Sequence, residues 1–140
     1  MSDSQAAVEL LMARLLEPVR KLLREHGGFL PFAAYLDTAR RVRKFAAESD
    51  DEADQEKLTA FFEEKLRGFA KAKKAVATAL VSDVLAAPPG KRKAVDCVSF
   101  ALDHAGGYSV IVFLPYELDD EGNAIFGELF AIDGESRIFA

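Results

Sequence analysis

The sequence predicts an α+β fold: an antiparallel twisted sheet with two helices packed on one face, in the order α-β-β-α-β-β-β-β. Three observations carry this. Two stretches repeat apolar residues at steps of three and four, the period of a helical stripe. Several others are rich in Val, Ile, Phe and Tyr and are bounded by Gly, Pro and Asp, as strands are. The connections between the last strands are short and Gly-containing, which joins neighbours antiparallel.

The first helix is marked by Val8, Leu11, Met12, Leu15, Leu16, Val19, Leu22 and Leu23. Ser2, Asp3 and Ser4 offer N-caps, and His26-Gly27-Gly28 offers a stop. Pro18 lies inside the stripe, where a missing backbone bond costs about 3 kcal/mol if unrelieved. Because the stripe continues past it, a kinked single helix is expected rather than two helices. Phe29 to Leu36 reads as a strand with Pro31 as an edge or entry residue. Asp37-Thr38-Ala39 turns it toward a short strand within Arg40–Ala46.

Ser49-Asp-Asp-Glu52 is a capping box that opens the second helix. Leu58, Phe61, Phe62, Leu66 and Phe69 form its stripe, with acids at the start and Lys65, Arg67, Lys71, Lys73 and Lys74 toward the end. That polarity complements the helix dipole, so the basic end reads as solvated surface. Ala75 to Leu85 is rich in alanine, but its Val and Thr content and the Pro88-Pro89-Gly90 stop favour a long strand. Strands Val95–Leu102, Tyr108–Tyr116 and Ala124–Ile132 follow, then a final segment from Ser136 to Ala140.

Sorted by parity, each late strand has a bulky and a smaller side. Tyr108, Val110, Val112, Leu114 and Tyr116 share one side, and Ile111 and Phe113 the other. Val98, Phe100 and Leu102 oppose Val95, Cys97, Ser99 and Ala101. Phe126, Phe130 and Ile132 fall beside Glu128. Small residues let a helix approach closely, so both helices are placed on the smaller side. Helices spaced about 8–10 Å apart then cover about four strands. The bulky face is left for sheet curvature or a second copy, since large exposed apolar patches mark interfaces. A homodimer is therefore favoured over a monomer.

Composition narrows the class. At 140 residues, half of them hydrophobic, the chain suits a single domain over 1–140 with a full core. Eleven Phe against three Tyr and no Trp point to packing rather than polar recognition. A net charge of −5 argues against a nucleic-acid partner. One cysteine and two histidines leave no basis for a disulfide or a Cys/His metal centre. The polar start has no basic region and the first apolar stretch is interrupted by charges, so neither a secretory signal nor a membrane segment is expected. The expected location is the cytoplasm.

No phosphate loop, dinucleotide fingerprint, zinc-protease helix or nucleophile elbow occurs. Ala105-Gly106-Gly107 reads as a hairpin turn. Asp103-His104 is the best local polar pair, but neighbours on a strand point to opposite faces, so a turn-stabilising or interface role is preferred to catalysis. Asp83, Asp96, Glu117 and Glu128 lie in or beside apolar strands. A carboxylate on such a face must be paired or exposed, and Arg137 is the expected partner of Glu128. Cys97 is expected to be buried and inert. His26 suits a helix C-terminus, and Lys91-Arg92-Lys93 is a solvated basic turn.

The phrases Gly28-Phe-Leu-Pro-Phe-Ala-Ala-Tyr-Leu36, Tyr108-Ser-Val-Ile-Val-Phe-Leu-Pro-Tyr116 and Phe126-Gly-Glu-Leu-Phe130 resemble those of a small bacterial α+β family of unknown function. The resemblance covers nearly the whole chain and implies no site residues.

With no coherent catalytic set, cofactor site or metal site, the expected function is a noncatalytic interaction module. It would use a sheet face or edge against a second copy or another protein. The alternative is a small enzyme or ligand-binding domain whose candidates are His104, Asp83, Glu128 and Tyr116.

Overall fold

The computed structural model describes residues 3–45, 55–135 and 137–139. The expected capping box Ser49–Glu52 lies outside the described residues, as do Ser2, Ala46, Ser136 and Ala140. Helix α1 (Asp3–His26) is a single helix running through Pro18. Strands β1 (Phe32–Asp37) and β2 (Val42–Phe45) precede helix α2 (Gln55–Lys71). Strands β3 (Ala75–Ala86), β4 (Val95–His104), β5 (Ser109–Leu118), β6 (Ala124–Phe126) and β7 (Phe130–Asp133) complete an open seven-stranded sheet.

The strand order is β2-β1-β3-β4-β5-β6, with β7 also on β5, and every pair is antiparallel. The predicted α+β class and the antiparallel meander are therefore present. The alanine-rich segment 75–86 is the longest strand, paired on both sides. Its helix propensity is outweighed by two full ladders and by burial of alternating side chains. Pro31 precedes β1 as an entry residue, and β1 lies inside the sheet between β2 and β3.

Two hairpin turns use the same device. Asp37 Oδ1 accepts the N–H groups of Ala39 and Arg41 at 2.9 and 2.8 Å. Asp119 Oδ1 accepts those of Glu121 and Asn123 at 2.9 and 2.8 Å. A short carboxylate that bonds backbone two residues on closes the turn locally. The Arg41 amide, then the Arg43 side chain, holds the Asp37 carboxyl below its ordinary range against some opposing desolvation.

The placement of both helices on one face is corrected by the core. Helix α1 buries Leu11, Leu15, Val19 and Leu23 against Phe32, Ala34 and Leu36 of β1 and Ala77, Ala79 and Val81 of β3. The same cluster includes the bulky side of the later strands, with Val98, Phe100, Leu102, Val112, Leu114 and Tyr116. Helix α2 buries Phe62 and Leu66 against Ala33, Tyr35 and Leu80, residues of opposite parity. The helices thus lie on opposite faces. The small residues that admit close approach of α1 are the alanines of β1 and β3, not the small side of β4.

A second correction concerns the last predicted strand, which is broken into β6 and β7. Phe126 stands opposite Tyr116, whereas Phe130 stands opposite Phe113. The step from 126 to 130 spans four residues and that from 116 to 113 spans three, so one extra residue is a bulge (Gly127 N–H bonds Pro115 O at 2.8 Å). An extra residue inverts the facing of all that follow. Phe126 therefore joins the α1 core, while Phe130 stacks on Phe113 at 5.0 Å on the other face.

After β7 the chain turns back across the sheet, and Ile138 packs with Phe62 and Leu66. Gly134 makes the turn possible. A Cβ there would lie 2.6 Å from Ser109 Oγ and 3.1 Å from Val110 N.

Leu15 is fully buried between α1 and the sheet. Leu15→Ala is expected to destabilise the fold by about 2–5 kcal/mol, seen as a lower urea midpoint with an unchanged slope.

Candidate functional site

Of the four candidate residues, the structure brings two together. Tyr116 O–H donates to Asp83 Oδ1 at 2.7 Å, from β5 across to β3. The other oxygen, Oδ2, accepts Phe29 N–H at 3.3 Å. Asp83 thereby fastens the segment after α1 to the end of the sheet. Gly28 sits so close that a Cβ would fall 2.8 Å from Asp83 Oδ2. Burial, and then the hydrogen bond to the Asp83 carboxylate, push the Tyr116 hydroxyl well above its ordinary range. It is a proton donor held in place, and its chemistry is that of a latch.

The other two candidates lie elsewhere. His104 stands opposite Ala77, six residues along β3 from Asp83. At about 3.3 Å per residue that is roughly 20 Å. Its Nδ1 accepts Gly106 N–H at 2.8 Å, the turn-stabilising arrangement. Glu128 is exposed in the bulge between β6 and β7. The expected Glu128–Arg137 ion pair is not formed. Arg137 instead reaches Glu63 of α2 at 3.7 Å and Glu135 at 3.9 Å, because the returning segment carries it toward α2. Cys97 is buried as expected, and burial raises its thiol pKa.

A recess that the sequence did not signal lies on the α2 face. It encloses about 340 Å³ between β3–β5, helix α2 and the residues Gly134, Glu135, Arg137 and Ile138. Its floor holds Thr78 of β3 and Asp103 of β4, which are direct partners in the ladder. Both are buried, at 0% and 6% exposure. Among the described residues, Thr78 Oγ1 and Asp103 Oδ1 have no hydrogen-bond partner within the protein.

Ser109, opposite Asp103 on β5, gives its carboxyl a hydrogen bond. Glu63 enters from α2 with a mostly covered side chain, and Arg137 closes the mouth. Arg137 is fixed in turn by Arg67, whose Nε–H donates to its carbonyl oxygen at 2.9 Å. Burial raises the Asp103 pKa, Ser109 and Arg137 pull it down, and Glu63 adds to the rise.

Asp103 was noticed in the sequence for its neighbour His104. The more informative signal was its parity with Cys97, Ser99 and Ala101 and its pairing across the ladder with Thr78. Two polar residues paired within long apolar strands mark one spot on the sheet. Glu63 and Arg137 carry no comparable signal, because the path of the returning chain brings them there.

Two further surfaces stand out. A broad open groove of about 1900 Å³ runs along the C-terminal half of α1. Two cations on its wall are engaged, Lys21 with Glu25 at 4.0 Å and Arg20 over the Phe126 ring at 5.0 Å. The second surface is the α2 side of β5 and β7, beyond the reach of α2. There Phe113, Pro115 and Phe130 are half-buried, and Ile132 is 51% exposed. No family model, curated protein or solved structure matches the chain. Among the described residues no helix is long and apolar enough to cross a membrane.

Asp103→Asn tests the electrostatics of the recess. A carboxyl whose folded pKa is raised weakens the fold as pH climbs from the unfolded carboxylate range through that raised value. The wild type is expected to lose stability across that window on account of Asp103. Asp103→Asn is expected to flatten this dependence and to be the more stable protein above the window, as read by thermal unfolding against pH.

Proposed function

We propose that the chain is a noncatalytic interaction module that self-associates through the α2 side of β5 and β7. The observation that carries this reading is the apolar strip Phe113, Pro115, Phe130 and Ile132. Phe113 and Phe130 are directly opposed in the ladder and their rings stack at 5.0 Å. Ile132 follows on the same face, opposite Ile111. The strip is flanked on β4 by Ser99 and Ala101, too small to shield it. Contiguous exposed apolar surface of this kind marks an interface more often than a free surface.

The strip also suits a second copy of itself. A two-fold contact sets the same patch against its own image, so charge at its centre would repel. The centre here is uncharged, and Glu117 and Glu128 lie outside it, at the end of β5 and in the bulge. The exposed apolar strip thus falls on the smaller side of the sheet, not on the bulky side that α1 covers. The separation of His104 from the Asp83–Tyr116 pair and the exposure of Glu128 weigh against a catalytic reading.

Sedimentation at low micromolar concentration is expected to give twice the 15.3 kDa chain mass. Phe113→Lys with Ile132→Lys is expected to yield a folded monomer with unchanged far-ultraviolet dichroism. A wild-type protein sedimenting as a monomer would falsify the reading.

A further inference from the structure

We propose that the recess between α2, β3–β5 and the residues Gly134, Glu135, Arg137 and Ile138 binds a small organic cation, a primary ammonium carried on a short apolar body, through Asp103 and Thr78. Two orphan oxygens define the site. Asp103 Oδ1 and Thr78 Oγ1 are buried without a protein partner among the described residues, and both residues line the recess. A buried polar atom left unmade costs about 1–3 kcal/mol. An ionised carboxylate only accepts, so whatever satisfies it must bring donors.

The two residues are direct ladder partners, so their side chains rise from neighbouring strands on the same face about 5 Å apart. One ammonium carries three donors and can bond both oxygens at once, leaving the third donor for Glu63. Bonds between ionised groups are the stronger kind.

Charge selects the sign of the ligand. Asp103, Glu63, Asp133 and Glu135 line the recess, against Arg137 as the basic residue of the lining. Arg137 is already engaged with Glu63 and Glu135, which leaves Asp103 with the Ser109 hydrogen bond but no ion pair among the described residues. An anion would meet this field unfavourably, and a cation would complete it.

Size and wall chemistry select the body. Water takes about 30 Å³ in the liquid, so 340 Å³ exceeds the room needed by one bridging water and reaches the lower range of ligand pockets. Leu66, Leu80 and Ile138 give the walls an apolar character suited to a short alkyl chain. A hard divalent ion needs six or more oxygens. No group of three or more His, Cys, Asp or Glu suited to a metal occurs among the described residues.

Burial of Asp103 also sets a pH dependence. Its carboxyl must ionise to bind the ammonium strongly, so affinity rises as pH climbs through its raised pKa. The titratable groups facing it are Glu63 from α2 and Asp133, Glu135 and Arg137 from β7 and the returning segment. Thr78 and Ser109 do not titrate in this range.

The test is titration of the full chain with n-butylammonium chloride against sodium chloride at matched ionic strength, followed by amide NMR and thermal unfolding. Saturable shifts are expected at Thr78, Asp103 and Ser109, with a raised Tm and tighter binding at higher pH. Asp103→Asn is expected to weaken binding by about tenfold or more, the loss of one charge-assisted contact. Thr78→Val is expected to weaken it less while keeping the fold. Absence of saturable change at millimolar amine, as for a recess filled by water alone, overturns the proposal. Equal affinity in Asp103→Asn does so too, as does preferential binding of magnesium or calcium at the same amides. Phe113→Ser, within the strip and outside the recess lining, is expected to bind the amine as the wild type does, which separates this site from the self-association surface.

Discussion

The long ladder of β3, β4 and β5 is the constraint on which the rest of the structure depends. Strands with apolar side chains on both faces must be kept from water on both. One helix cannot do this, because it lies on one side. The chain therefore places α1 on one face and α2 on the other. The alanines of β1 and β3 let α1 sit close, while Val98, Phe100 and Leu102 fill the space where its grip widens toward β5. The result is a sheet with a complete core on one face and a partial one on the other.

The partial face explains the site and the surface together. Helix α2 covers β1 and β3, and its cover ends near β4. Over the gap the chain returns from β7 and docks Ile138 against α2. That return is narrow. Beneath it remains a recess with a carboxyl and a hydroxyl in its floor; beyond it lies an apolar strip that α2 does not cover. Polar and apolar consequences of one incomplete layer thus lie side by side, and they can be perturbed separately because Asp103 and Ser99, the ladder partner of Phe113, are four residues apart on β4.

Much of this fold was legible from local chemistry. The stripe from Val8 to Leu23, the Asp37 and Asp119 turns, and the strand at 75–86 all follow from spacing and residue type. Facing was legible only as far as parity holds. It failed at the bulge after Phe126, because an extra residue with Gly127 at its start leaves no unambiguous mark in the sequence. Helix placement failed for a related reason. Small residues occur on both faces, and the pairing that decides between Ala77 and Ser99 involves strands far apart in the chain. Asp83 and Tyr116 were noticed as polar residues in apolar strands, and their bond required the register. The recess was hidden because Glu63, Thr78, Asp103 and Arg137 converge only through tertiary structure.

The cluster under α2 joins Ala33 and Phe62 to Ile138. Chain order therefore matters during synthesis. The α1 core can gather as the strands emerge in succession, since its last large contributor is Phe126. The seat of α2 closes later: β1 and β2 are already made and offer Ala33, Tyr35 and Phe45, but Leu80 of β3 and then Ile138 join Phe62 and Leu66 only after they emerge. Contacts so distant in sequence close slowly. In the nascent chain α2 is thus the element left longest with its apolar side open, and the one a chaperone would meet.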